Sequence, residues 1–227
     1  MSKLDLEEQE QIEQIRVFWS RWGHLILGIL IVILGSYLAW VQWQNHQNSQ
    51  AIKASAMFDE LEKVALGPDL VKMTEVFSDL KTHYPKTIYA QQAGLIIAKY
   101  QFEAKQLDEA VVSLTWVSNN ASLDEFRSIA HLRLAGVLFE QKKYDEALQL
   151  LGKPAPEAFT GLLADRRGDV LLAQEKHPEA IEAYTQAWKA LEAHSGYRRL
   201  VETKLGTLGV SLGETGSVLS SAPGSAQ

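Results

Sequence analysis

The sequence predicts an all-α protein, with one N-terminal transmembrane helix followed by a solenoid of paired helices. Three observations carry that prediction. An uncharged apolar run of seventeen residues, Leu25 to Val41, stands near the N-terminus. Helical periodicity then extends from residue 51 almost to the end, with no strand-like alternation. Within that stretch a short motif recurs three times at nearly constant spacing.

At 227 residues the chain holds one domain with a real core plus an anchor. Its net charge is -6, from 22 Lys and Arg against 28 Asp and Glu. Only three of the basic residues, Lys3, Arg16 and Arg21, precede residue 44, and five acids share that segment, so neither part is basic and no nucleic-acid partner is expected. Cysteine is absent, which excludes disulfides, thiolate metal sites and a lipid-bearing cysteine anchor.

The first element spans residues 22–43 and follows a short tail, residues 1–21. From Trp22 to Trp40 a helix rises roughly 27 Å, close to the thickness of a bilayer's hydrocarbon core. Trp19 and Trp22 then fall at one membrane interface and Trp40 and Trp43 at the other, where side chains with apolar bodies and polar edges anchor a span. A cleaved signal peptide is the rival reading. However, Ala54-Ser55-Ala56, which resembles a cleavage site, stands thirteen residues beyond Val41, and the apolar run exceeds a usual signal core. Arg16 and Arg21 flank the N-terminal side, against Lys53 on the other, so the positive-inside rule predicts a cytoplasmic N-terminus and an exported C-terminal part.

A polar linker is expected at residues 44–50, then a helical domain at 51–212 and a disordered Ser/Gly/Ala-rich tail at 213–227. Helices are predicted near 51–66, 69–83, 87–105, 107–118, 122–142, 144–151, 157–175, 177–193 and 197–208. Gly67-Pro68-Asp69, Tyr84-Pro85, Asn119-Asn120, Gly152-Lys153-Pro154 and His177-Pro178 punctuate them.

The recurrent motif is Leu107-Asp108-Glu109-Ala110, Tyr144-Asp145-Glu146-Ala147 and His177-Pro178-Glu179-Ala180. Its alanines lie 37 and 33 residues apart, bracketing the tetratricopeptide period. Twelve residues before each stands another small residue, Ala98, Ala135 and Gly168, where two antiparallel helices must approach closely. The domain is therefore expected to be a tetratricopeptide-repeat-like α-solenoid packed through Ala98 with Ala110, Ala135 with Ala147, and Gly168 with Ala180. A degenerate earlier unit is expected around Met73, with Phe77 and Leu80. Val201, Leu205, Leu208 and Leu212 are expected to form a terminal cap.

Catalytic chemistry is not expected. Gly209-Val210-Ser211-Leu212-Gly213 matches G-x-S-x-G, but that elbow needs a strand before it, a helix after it and a downstream histidine, and no histidine follows Ser211. The six histidines share no metal-binding spacing, so neither metal nor cofactor is predicted. What remains is a surface. Stacked helix pairs form a groove lined by the first helix of each repeat, and such grooves bind peptides. Arg133 and Arg166 occupy equivalent repeat positions, with Lys99 nearby, so all three are candidate groove residues. The competing reading pairs them with local acids, Arg166-Arg167 between Asp165 and Asp169 above all.

Three blocks extend beyond the repeat pattern: FWSRWGHLILGILIVILGSYLAWVQWQNHQ across the anchor, HLRLAGVLFEQKKYDEAL, and LLADRRGDVLLAQEKHPEAIEAYTQAW. In that order they resemble the YfgM family, the ancillary subunits of the bacterial SecYEG translocon, from about Val17 to Leu208. The Gly/Ser tail departs from the family's usual C-terminus. The resemblance implies a single-pass inner-membrane protein with a periplasmic repeat domain, associated with SecYEG and with a membrane-anchored chaperone, PpiD. The implied function is non-enzymatic: helping exported client proteins pass from the translocon to periplasmic chaperones. A different membrane-tethered scaffold, in envelope or cytochrome assembly, is the alternative.

Overall fold

The computed structural model describes residues 4–67, 69–212 and 218–220, with only the backbone described at 4–15, 17, 18, 212 and 218–220. The chain divides into two compact units, residues 1–52 and 53–227. Among the described residues one helix is long and apolar enough to cross a membrane, and it belongs to α1 (Leu4–Ala65). In its first unit Leu27, Ile31, Val32 and Leu34 are all more than half exposed, as are Trp19, Trp40 and Trp43, while Trp22 is about half exposed. A long run of exposed apolar side chains on one helix suits lipid as its solvent. Residues 44–50, expected as a linker, are helical. They contain neither Gly nor Pro, so nothing in them breaks the ladder.

The second unit contains the end of α1, α2 (Leu70–His83), α3 (Ile88–Glu103), α4 (Leu107–Asn120), α5 (Asp124–Glu140), α6 (Tyr144–Leu151), α7 (Glu157–Ala173), α8 (His177–Ala190) and α9 (Gly196–Thr207). Local chemistry sets several of the starts. The side chain of Asp69 accepts from the Lys72 amide at α2, Thr87 from Ala90 at α3, and Ser195 from Arg198 at α9.

Consecutive helices pair as α3/α4, α5/α6 and α7/α8, and the first helices also pack on one another, α3 on α5 and α5 on α7. Each pair turns on the same left-handed residue: Lys105 (φ 63°), Lys142 (φ 60°) and Glu175 (φ 61°). Each turn closes with the same long bond, from Gln106 N to Gln101 O at 2.8 Å, Lys143 N to Leu138 O at 2.8 Å and Lys176 N to Leu171 O at 3.0 Å. This is the Schellman closure, made three times without glycine.

Three apolar clusters form the core. The first joins Ala54 and Leu61 of α1 to Met73, Phe77 and Leu80 of α2 and to α3. A central cluster runs from α3 to α7 through Leu114, Leu134 and Leu138. The last seats Val201 and Leu205 of α9 on Ala180, Tyr184 and Ala187 of α8, with Leu208 against its edge.

The C-terminus adds a short element that sequence patterning did not name. Val210–Leu212 (β1) pairs antiparallel with Val218–Ser220 (β2), with Val210 opposite Ser220. Gly209, at φ 77°, follows the C-cap of α9 in a conformation that glycine adopts without strain, and the valine that opens each strand, Val210 and Val218, is a β-branched residue suited to it. Leu212 therefore lies in β1 and does not extend the helical cap. The rest of the expected disordered tail, residues 213–217 and 221–227, lies outside the described residues.

Candidate protein-binding groove

The positions expected to bring paired helices together are buried. Ala98, Ala110, Ala135, Ala147 and Ala180 expose at most 2% of their surface. At buried Gly168 an added Cβ would lie 2.5 Å from the Tyr184 ring, so α7 and α8 approach more closely than any side chain allows. Sequence spacing missed two similar contacts. A Cβ on Gly94 would lie 2.4 Å from Val117 Cγ2, and one on Gly161 would lie 2.7 Å from Leu191 Cγ.

The Asp of the recurrent motif acquires a partner that spacing alone did not reveal. Gln141 Nε2, in the turn of one repeat, donates to Asp108 Oδ1 of the preceding repeat at 2.8 Å, and Gln174 Nε2 donates to Asp145 Oδ1 at 3.0 Å. The glutamines stand 33 and 29 residues after the motif aspartates and 33 residues from one another, and that repeat was the available signal. In the third copy Pro178 replaces the aspartate, and the unit that follows is α9 with no such turn.

Stacking the first helices places Lys99 on α3, Arg133 on α5 and Arg166 on α7 around one groove of about 450 Å³. Its floor is apolar, with Phe102, Leu132, Val137 and Phe139, none of which was singled out by sequence. Gly136 also lines it, and a Cβ there would meet nothing within 4 Å. This glycine leaves open space, in contrast to Gly168. The local-pairing reading of the cations holds in part as well. Lys99 Nζ lies 3.8 Å from Glu103 and Arg166 Nη1 lies 3.6 Å from Asp169. Arg133 Nη1 donates to the Leu95 carbonyl at 2.9 Å, and burial lowers its pKa from the ordinary value.

Behind Arg166 stands a polar cluster that holds the terminal helix. Asp165 is only 2% exposed. Lys204 Nζ of α9 donates to Asp165 Oδ1 at 2.8 Å and to Asp169 Oδ1 at 2.6 Å. Tyr197 OH donates to Asp165 Oδ2 at 2.6 Å, and Tyr184 OH donates to Asp169 Oδ1 at 2.8 Å. Burial, and then the hydrogen bond to aspartate, push both phenols far above the usual tyrosine range, so they remain donors.

Ser211, in the G-x-S-x-G match, sits on β1 after a helix, the reverse of the strand, nucleophile, helix order that exposes a hydrolase serine. Among the described residues no three His, Asp or Glu side chains converge as metal ligands. The four tryptophans expected at the membrane interfaces, Trp19, Trp22, Trp40 and Trp43, lie on α1, apart from the groove residues in sequence and in a separate unit.

A family model for a tetratricopeptide repeat-like domain matches residues 16–210. Three relatives bear the name ancillary SecYEG translocon subunit. The protein from Neisseria gonorrhoeae (strain ATCC 700825 / FA 1090) is 35% identical over 204 residues, covering 89% of this chain and 98% of the relative. That from Haemophilus influenzae (strain ATCC 51907 / DSM 11121 / KW20 / Rd) is 29% identical over 182 residues, covering 80% and 89%. That from Escherichia coli (strain K12) is 25% identical over 205 residues, covering 89% and 97%. The paired helices, the apolar N-terminal helix and this similarity over most of the chain together make it a member of the tetratricopeptide repeat-like family of ancillary SecYEG translocon subunits, the YfgM family.

Proposed function

We propose that this protein is a non-enzymatic, membrane-anchored adaptor of the Sec translocon, which helps exported proteins pass from SecYEG to periplasmic chaperones, a membrane-anchored PpiD-like chaperone among them. One observation carries the reading: three consecutive repeats build a single apolar-floored groove with a basic rim in a chain whose N-terminal helix is fit to span a bilayer. Grooves of this kind take extended or helical segments of other proteins. In this arrangement residues 22–43 cross the inner membrane, Trp19, Trp22, Trp40 and Trp43 lie at its interfaces, and the basic flank Arg16 and Arg21 keeps residues 1–21 cytoplasmic. The repeat domain is then periplasmic, where clients emerge. Lys99, Arg133 and Arg166 contact the bound protein, and tight packing at Ala98, Ala110, Ala135, Ala147, Gly168 and Ala180 keeps the stack rigid enough to hold the groove open.

Purification of the full chain from native membranes in mild detergent tests the assignment. SecYEG subunits and a membrane-anchored chaperone are expected to co-purify. Because the chain has no cysteine, a Gln149→Cys variant is expected to react with a membrane-impermeant maleimide in spheroplasts, and a Ser2→Cys variant only after permeabilisation. Recovery of no translocon subunit, or the opposite labelling pattern, overturns the reading.

A further inference from the structure

The charges in the groove do not balance. Three cations line it against one acid, Glu140. Two of them have loose carboxylate neighbours, Glu103 at 3.8 Å from Lys99 and Asp169 at 3.6 Å from Arg166, distances too long for hydrogen bonds of normal strength. Arg133 differs from both. Its polar partner is the neutral carbonyl of Leu95, and no ion pair forms to it among the described residues. Its side chain stays open to solvent, so an incoming anion can reach a guanidinium that has no carboxylate on it and form a short, charge-assisted contact.

The apolar floor adds a second requirement. Phe102 and Phe139 lie beside the cations, and the open space at Gly136 admits a side chain from outside. The lining comes mainly from α3, α5 and α7, the first helices of three successive repeats, so an extended segment laid across those helices passes all three cations. Its volume, about 450 Å³, takes a short stretch of side chains and not a folded domain.

We propose that the groove selects an extended polypeptide segment carrying an internal Asp or Glu beside an aromatic or large aliphatic residue, with the carboxylate on Arg133 and the apolar side chain in the space at Gly136. This rests on the reading of the groove as a peptide-binding surface, and it names the kind of segment taken there. Lys99 and Arg166 add long-range attraction, and their weak neighbours Glu103 and Asp169 are readily exchanged for the ligand's carboxylate.

The test uses the full-length chain in lipid nanodiscs and short fluorescent peptides blocked at both ends, with Asp-Phe or Asn-Phe at the centre. The Asp-Phe peptide is expected to bind about tenfold more tightly, the difference that one charge-assisted pair commonly makes. Arg133→Gln is expected to erase that preference. Gly136→Leu is expected to abolish binding of both peptides without lowering the melting temperature, because leucine is the better helix former and its Cβ meets no neighbour. Equal affinities that both vanish in Gly136→Leu would overturn the acidic preference while leaving the groove as a peptide site. Binding seen only with a free C-terminal carboxylate would overturn the internal-acid assignment. Binding unaffected by Gly136→Leu, or no binding by any peptide, would remove the groove reading and this proposal with it.

Discussion

At Gly168 the α7/α8 contact leaves no room for a methyl group. The Tyr184 ring that a Cβ would strike is 1% exposed and tied to Asp169, so it has no free direction in which to move. Gly168→Ala is therefore expected to destabilise the domain by about 1 to 3 kcal/mol despite alanine's higher helix propensity, because overpacking outweighs propensity. A thermal melt against wild type checks it, and an unchanged or raised melting temperature would show that α7 and α8 can separate at little cost. His131 supplies a pH-dependent term. It is 3% exposed, its Nε2 lies 3.0 Å from Ser118 Oγ, and burial first, then Lys153 and Arg127, lower its pKa below 6.5. The unfolded chain then binds this proton at a higher pH than the folded one does. Its contribution to stability is complete above about pH 6.5 and is lost as the pH falls toward the lowered folded-state value. Denaturant melts of wild type and His131→Gln over that window are expected to show a steeper acid-side loss in wild type. Parallel profiles would mean that His131 takes no part.

Among the elements, α9 depends most on a few polar contacts. Val201 and Leu205 bury its apolar face, but Lys204 is the close cationic partner of two aspartates, one of them deeply buried, with Arg166 only a looser neighbour of Asp169. Removing one partner of a fully buried pair costs about 3 to 5 kcal/mol. Because Lys204 remains a quarter exposed and Asp165 keeps Tyr197, Lys204→Ala is expected to cost about 2 to 3 kcal/mol. Hydrogen exchange is expected to accelerate in α9 before it does in α3 to α6, since a stack of repeats transmits such losses mainly to the nearest neighbour. Uniform acceleration across the domain would instead make the whole stack one cooperative unit. The element boundaries themselves were largely legible. Breakers such as Tyr84-Pro85, Gly152-Lys153-Pro154 and His177-Pro178 are local instructions, and the helices stop within a few residues of where those fall. The three left-handed turns were not legible, because Lys105, Lys142 and Glu175 carry no glycine signature and adopt positive φ only once the helix pair on either side is packed. The hairpin of β1 and β2 was missed for the opposite reason: each strand is three residues long, too short for alternation to register.

For the whole molecule, the sequence alone decided the class: an apolar helix of bilayer length and a train of helix pairs, with Ala98, Ala135 and Gly168 each twelve residues before a second small residue. These properties are one-dimensional. Hydropathy length, turn residues and the twelve-residue spacing are local along the chain, so they survive without coordinates. Only tertiary structure decided which surfaces meet. Lys99, Arg133 and Arg166 are 34 and 33 residues apart, and they share a groove because α3, α5 and α7 stack side by side. The same stacking makes Gly136 an opening and Gly168 a contact, although both are glycines on first helices. It also joins Asp108 to Gln141 and Asp165 to Lys204. The physical reason is that a residue's role in a solenoid depends on the rotation of its helix relative to the next repeat, and that rotation is settled by packing between side chains far apart in sequence.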